Sequence, residues 1–111
     1  MTGVLTEAGI KRYTLLQQVV KIIVPLISQF YGILIYIYKE KGGKHNIPHF
    51  HAQYAEYEGV YDFDGNLIDG GLPRKQSKLV EAWTLIHSDE LNAAWKAWNE
   101  SGEVIKIAGL R

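Results

Sequence analysis

The sequence has no cysteine among its 111 residues, which excludes disulfide bonds, thiolate metal sites and a cysteine nucleophile. Its twelve Lys and Arg balance its twelve Asp and Glu, so net charge does not mark the whole chain as a polycation or as an acidic mimic of nucleic acid. A hydrophobic share of 47% excludes a disordered chain. Any metal or covalent chemistry therefore falls to histidine, carboxylate and hydroxyl groups.

Long hydrophobic runs are also missing. The longest apolar runs, residues 22–27 and 33–38, fall far short of the roughly 20 residues that a membrane span requires. Lys21 interrupts the N-terminal apolar stretch, and no small-residue cleavage site follows it, so a secretory signal fits poorly. We expect a single soluble cytoplasmic domain with no membrane partner.

The two halves of the chain carry opposite charge. Residues 1–54 contain six Lys and Arg against two acids, whereas residues 55–111 contain six against ten. Because both halves share one core, this asymmetry predicts a basic and an acidic surface. These surfaces are either simply solvated or, on the basic side, face a polyanion.

Apolar residues recur at helical spacing through residues 6–24, and Pro25 would end a helix there. The pattern predicts an amphipathic N-terminal helix. A strand over residues 19–24 is the alternative, because Val and Ile dominate that stretch. Four extended segments follow, and their order predicts an antiparallel meander: residues 31–39, 48–54, 57–63 and 66–69.

Two helices are predicted after the meander, over residues 74–87 and 88–102. Pro73 stands at the start of the first, Ser88 is the expected N-cap of the second, and Gly102 closes it. Residues 104–108 would add an edge strand or pack against the body. The fold class is therefore α+β, with about four antiparallel strands covered on one face by helices.

The register of the second and third extended segments follows from a bend at residues 55–56. Residues whose numbers sum to 111 then face each other, so His49 faces Asp62 and His51 faces Val60. A two-residue turn at residues 64–65 would add a further strand.

That further strand would pair Ile68 with Tyr61 and Asp69 with Val60. Strand alternation then places His49, His51, Asp62 and Asp69 on one face, which we call the histidine face, and Phe50 with its neighbouring aromatic residues on the other.

We expect the helices to cover the aromatic face and to leave the histidine face accessible, together with Tyr36 or Tyr38 of the preceding strand. Three hypotheses fit that face. In the first, His49 and His51 act as acid and base in phosphodiester cleavage, oriented by carboxylates.

In the second, His45, His49 and His51 bind zinc or another divalent ion. In the third, the imidazoles only pair with carboxylates across the strands and carry no chemistry.

Two basic clusters are candidates for binding an anion. Lys44 lies in a glycine-containing loop, although the loop lacks the spacing of a phosphate-binding loop. Arg74 and Lys75 crowd the first turn of a predicted helix, where the helix dipole disfavours cations. An acidic ligand would relieve that conflict, but a solvated helix face remains the alternative.

Several strings of the sequence resemble a small bacterial family, domain of unknown function 4160. The most specific is residues 45–52, His-Asn-Ile-Pro-His-Phe-His-Ala, followed by residues 27–33 and 71–74 and by the stretch from Trp83 to Leu91. The resemblance implies a prokaryotic cytoplasmic protein of a kind that is often encoded beside a partner gene and is predicted to belong to toxin–antitoxin pairs. It implies no established activity.

Members of that family commonly begin near the equivalent of Pro25. The resemblance therefore divides the chain into an N-terminal extension, residues 1–24, which we expect to be helical, and a single α+β domain, residues 25–111.

Together these features predict a toxin–antitoxin component that binds RNA or acts on it as a ribonuclease. In the enzymatic form His49 and His51 are acid and base, and Asp62 and Asp69 orient them. The alternative is a non-enzymatic module that binds a cognate small protein through a strand edge or an acidic helix surface. The expected RNA-binding residues are Lys44, Arg74, Lys75, Tyr36 and Tyr38.

Overall fold

A computed structural model describes residues 25–37 and 47–111. The strands form one antiparallel sheet in the order of the sequence, which confirms the α+β meander with one strand more than expected. The segment predicted to form an N-terminal helix, and also Tyr38, Lys44 and His45, lie outside the described residues. The elements are β1 (Leu26–Phe30), β2 (Ile33–Tyr36), β3 (His49–Tyr54), β4 (Tyr57–Asp62), β5 (Leu67–Gly71), α1 (Arg74–Ile86) and α2 (Ser88–Ser101).

Strand β1 is the element that the sequence did not reveal. Its register against β2 shifts between Leu26 and Ser28, so the neighbouring Ile27 and Ser28 are both buried. Such a bulge breaks the alternation of buried and exposed residues by which a strand is recognised. The turn between β1 and β2 consists of Tyr31 and Gly32, both of which have left-handed φ angles of 48° and 79°.

The predicted register between β3 and β4 is confirmed. His49 lies opposite Asp62, and His51 lies opposite Val60, with the bend at residues 55–56. Phe50 pairs with Tyr61 on the other side of the sheet. The predicted pairing, in which the numbers of opposed residues sum to 111, therefore holds along the whole β3–β4 hairpin.

The predicted pairing of β4 with β5 is right at one position and wrong at another. Asp69 faces Val60 as expected, but Tyr61 pairs with Leu67 rather than Ile68. The loop is longer than the two residues expected. The hydrogen bond that closes it runs from the Asp62 N–H to the Asn66 carbonyl at 2.9 Å and leaves residues 63–65 between them. A bulge between the pairs Tyr61–Leu67 and Val60–Asp69 then brings Asp69 back to its predicted position opposite Val60.

Helix α1 covers the aromatic face, as expected. Its Trp83 is fully buried, and the Trp83 ring lies 5.4 Å from that of Phe30 and 5.5 Å from that of Phe50, measured between centroids. On the same helix, Ser77 and the Tyr61 hydroxyl share a hydrogen bond of 2.8 Å. The aromatic layer therefore holds the first helix against the sheet.

The boundaries of the two helices follow the prediction with one correction. The N-cap of α2 is His87, not Ser88, because a single residue separates the helices and Ser88 is already helical. The His87 N–H donates back to the Trp83 carbonyl at 3.0 Å. Gly102 ends α2 in the left-handed conformation, as expected.

The segment after α2 forms no strand but packs along β1. The Ile107 N–H donates to the Ile27 carbonyl at 2.7 Å, and Lys106 Nζ donates to the Leu26 carbonyl at 2.6 Å. Trp83 Nε1 donates to the Ala108 carbonyl at 2.8 Å. The C-terminal segment thus covers one edge of the sheet, and β5 forms the opposite edge. Within the described ranges no helix is long and apolar enough to cross a membrane.

Gly70 tests how tightly β5 is held. Its φ angle is +67°, and a Cβ there would lie 2.3 Å from the Glu58 carbonyl oxygen. At Gly71 the nearest atom to such a Cβ is a Leu67 methyl group at 3.7 Å. We predict that Gly70→Ala lowers the free energy of unfolding by about 2–4 kcal/mol in urea titrations. Gly71→Ala is the matched control, and equal effects of the two would contradict the described backbone.

Candidate functional site

The histidine face crosses the sheet in the predicted order. Tyr36 of β2, His51 of β3, Val60 of β4 and Asp69 of β5 stand opposite one another in one row. The rings of His49 and His51 lie 5.3 Å apart between centroids, edge to face. The sequence-derived placement of both histidines on the same side of β3 is therefore confirmed.

The expected accessibility of the two histidines and of Tyr36 is wrong. His49 is 2% exposed, His51 5% and Tyr36 4%. One reason is Trp95 of α2, whose ring lies 5.4 Å from that of His49 and 5.9 Å from that of Phe63, measured between centroids. Because one indole packs against residues of both sheet faces, α2 does not stay on the aromatic side as the sequence analysis assumed.

Hydrogen bonds orient both imidazoles. His49 Nδ1 lies 2.7 Å from the Ile47 carbonyl oxygen, and since a carbonyl only accepts, this nitrogen carries the proton. His51 Nδ1 lies 2.9 Å from Glu58 Oε2, a half-exposed carboxylate. The bonds define ring orientation in the way that second partners orient catalytic or metal-binding histidines.

The two aspartates expected to orient the histidines both accept backbone hydrogen bonds. Asp62 Oδ1 accepts the N–H groups of Asp64 and Asn66, both at 2.9 Å, and so organises the loop before β5. Asp69 Oδ1 accepts the neighbouring Gly70 N–H at 2.8 Å. Glu58 is a carboxylate that contacts His51, and it sits diagonally across from His51, where a long side chain reaches.

Burial also perturbs a tyrosine of this face. It raises the pKa of Tyr36, and the negative charge of Glu58 raises it further. On the aromatic face burial likewise raises the pKa of Tyr61, with Glu81 adding to the rise and the Ser77 hydrogen bond opposing it.

A metal site on the histidine face remains a prediction. Across residues 25–37 and 47–111, no group of three or more His, Asp or Glu side chains is arranged to hold a metal ion. The third expected ligand, His45, lies outside those ranges.

A second candidate site lies at the end of the sheet that carries the β1–β2 turn and the β3–β4 bend. A cavity of about 450 Å³ opens there, and we call it the tyrosine cavity. Its lining includes Tyr31, Tyr54, Lys75, Leu79, Leu110 and Arg111.

The two tyrosines of this cavity occupy unlike positions. Tyr31 is 59% exposed and has a left-handed φ of 48°, a conformation uncommon for a side-chain-bearing residue. The half-buried Tyr54 packs over the turn, where a Cβ on Gly32 would lie 3.3 Å from its ring. The small residue after Tyr31 thus makes room for the second ring.

The cations of this cavity come from α1 and the C-terminal segment. Lys75 lines it, and Arg74 precedes Lys75 at the start of α1, whose first turn has no acidic residue and no side-chain cap. Of the expected RNA-binding residues, Tyr36 instead lies buried on the histidine face. Sequence reasoning missed Tyr31, Tyr54 and Arg111. Meander topology was the available signal, because alternate turns of a meander meet at one end.

A family model described as Domain of unknown function (DUF4160) matches residues 32–96, from the start of β2 into α2. The match includes both strand histidines, Tyr54 and Lys75. No curated protein and no solved structure matches the chain.

The raised pKa of Tyr36 predicts a loss of stability in alkali. The folded chain keeps the Tyr36 proton at a pH where the unfolded chain releases it, because the folded pKa exceeds the ordinary 10.0. The contribution of Tyr36 to the free energy of unfolding is therefore fully present below about pH 10 and is lost as pH rises through the folded pKa. Urea titrations at a series of pH values should show a shallower fall for Tyr36→Phe than for the wild type.

Tyr57→Phe, at an exposed position of β4, controls for the loss of a phenol. An unchanged alkaline slope in Tyr36→Phe would show that burial and Glu58 do not act on Tyr36 as described.

Proposed function

The chain belongs to the DUF4160 family, and on that premise we propose that it binds single-stranded RNA at the tyrosine cavity, as the RNA-binding component of a toxin–antitoxin pair. The observation that carries the proposal is the meeting of two tyrosines and two cations, Lys75 and Arg111, around one cavity. The family resemblance supports the toxin–antitoxin setting.

The chemistry of the cavity fits an unpaired nucleotide. Every base has a π-face that stacks on an aromatic ring whatever its sequence, and each phosphate attracts a Lys or Arg. The exposed Tyr31 ring offers such a platform, and Lys75 lines the same cavity. A volume of about 450 Å³ falls within the range of pockets that hold small ligands.

The same features favour single strands over duplexes. Bases in a duplex are already stacked, so only unpaired bases can splay out onto an aromatic side chain. Leu79 and Leu110 give the cavity apolar walls, which suit a base better than a phosphate alone.

The proposal is limited to binding because of where the histidines lie. A general acid or base must come within hydrogen-bond reach of the group that it protonates or deprotonates. With His49 2% and His51 5% exposed, their burial argues for a structural role in holding β3. The contacts of His49 with Ile47 and Trp95 support the same role.

Stacking is tested through Tyr31. We expect Tyr31→Ala to weaken binding of a fluorescein-labelled uridine hexamer about 10-fold in anisotropy titrations, because stacking on an aromatic ring contributes roughly 1–3 kcal/mol per base. Tyr31→Phe keeps the ring and should bind like the wild type. Equal affinity of Tyr31→Ala and the wild type would exclude stacking at this position.

The phosphate contact is tested through Lys75. Lys75→Ala should reduce the slope of log Kd against log salt by about 0.7, because one fewer counterion is released from a single strand. Lys96→Ala, an exposed lysine of α2, is the matched control. An unchanged slope for Lys75→Ala would contradict the proposed site.

The restriction to binding is tested on the same samples. The labelled RNA should stay intact through prolonged incubation with the protein. RNA cleavage by the wild type that His49→Gln abolishes, in a variant with native circular dichroism, would instead establish the histidine-dependent ribonuclease.

A further inference from the structure

The edge of the sheet formed by β5 is open in the described structure. Among the described strands β5 pairs with β4 alone, while the C-terminal segment packs along β1 at the other edge. Four of the five β5 residues are exposed, among them Leu67 at 49% and Ile68 at 36%. An edge strand presents a row of backbone N–H and C=O groups that can pair with another strand.

The hairpin that carries this edge is strongly acidic. Residues 56–71, which include the whole of β4 and β5, contain five Asp and Glu and no Lys, Arg or His. Asp69 stands near the middle of β5, and its carboxylate accepts the Gly70 N–H. A strand that approaches this edge therefore meets a negative charge beside the backbone groups with which it would pair.

We propose that β5 pairs with an extended, basic segment of a partner protein, which adds a strand to the sheet. Backbone hydrogen bonds along β5 supply the pairing, and a Lys or Arg opposite Asp69 supplies the charge complementarity. Apolar residues beside that cation cover Leu67 and Ile68. The surface shares no residue with the lining of the tyrosine cavity and does not depend on RNA binding.

The charges decide between this occupant and the other candidates. RNA is repelled by a hairpin with five acids and no base. A second copy that paired β5 with β5 in full antiparallel register would place Asp69 directly opposite Asp69. Like charges in directly opposed positions destabilise a strand pair. A basic strand has neither conflict.

The probe for this edge is a heptapeptide of alternating Lys and Val, measured by calorimetry against the whole chain. Its Glu–Val counterpart tests charge, and a Lys–Val peptide with alternate N-methylated amides tests backbone pairing at equal charge. We expect the Lys–Val peptide to bind at least about 10-fold more tightly than either of the others, which corresponds to roughly 1.4 kcal/mol.

Asp69→Lys is the informative variant, and Glu100→Lys on α2 is its control with the same change of charge. Asp69→Lys should reverse the order of the Lys–Val and Glu–Val peptides, whereas Glu100→Lys should preserve it. Hydrogen exchange at residues 67–71 should slow when the Lys–Val peptide is bound to the wild type.

Three results would overturn the proposal. In the first, the N-methylated peptide binds as tightly as its parent, which would mean that charge alone attracts it. In the second, the wild type forms a dimer that Asp69→Lys dissociates, which would make a second copy the occupant. In the third, RNA slows hydrogen exchange at residues 67–71.

Discussion

The inward orientation of Phe50 is the constraint on which the rest of the structure depends. Its ring stacks on Tyr61 at 5.6 Å and meets Trp83 of α1 edge to face at 5.5 Å, measured between centroids. Because side chains alternate along a strand, this contact places His49 and His51 on the opposite face. A shift of one residue in the pairing of β3 would move both histidines into the aromatic layer and would move Phe50 to the histidine face.

As a consequence of this orientation, the faces of the sheet differ in function from its ends. The aromatic layer beneath α1 covers one face, and on the other face the imidazoles of His49 and His51 are only 2% and 5% exposed. Among the described residues, the accessible parts of the sheet include the end with the β1–β2 turn and the edge along β5. Rigid sheets commonly carry their binding residues on such loops and edges, where side chains can change without loss of the core.

The sequence was sufficient where the controlling interactions are local. Alternation and the bend at residues 55–56 predicted the β3–β4 register, and apolar spacing predicted both helices within a residue or so of their ends. It failed at β1 because a bulge hides the alternation there. It failed on the accessibility of the histidine face because the position of Trp95 depends on how α2 crosses the end of the sheet, which no local pattern encodes.

The tyrosine cavity was missed for a related reason. Its lining comes from a turn, a strand end, a helix start and the C-terminal segment, so its members are widely spaced in the chain. Of its lining residues, only Lys75 was predicted to bind RNA, because a cation near a helix start is unfavourable. The acidic hairpin, by contrast, is one continuous stretch, and the charge asymmetry between the halves of the sequence already indicated it.

RNA is proposed to bind at the tyrosine cavity and not at the histidines. The most direct measurement is a titration of the protein with an unlabelled uridine hexamer, followed through the aromatic side-chain resonances in NMR spectra. If RNA binds at the tyrosine cavity, the ring signals of Tyr31 and Tyr54 shift with RNA while the imidazole signals of His49 and His51 stay in place. Shifts of the imidazole signals with unmoved tyrosine rings would instead place RNA at the histidines.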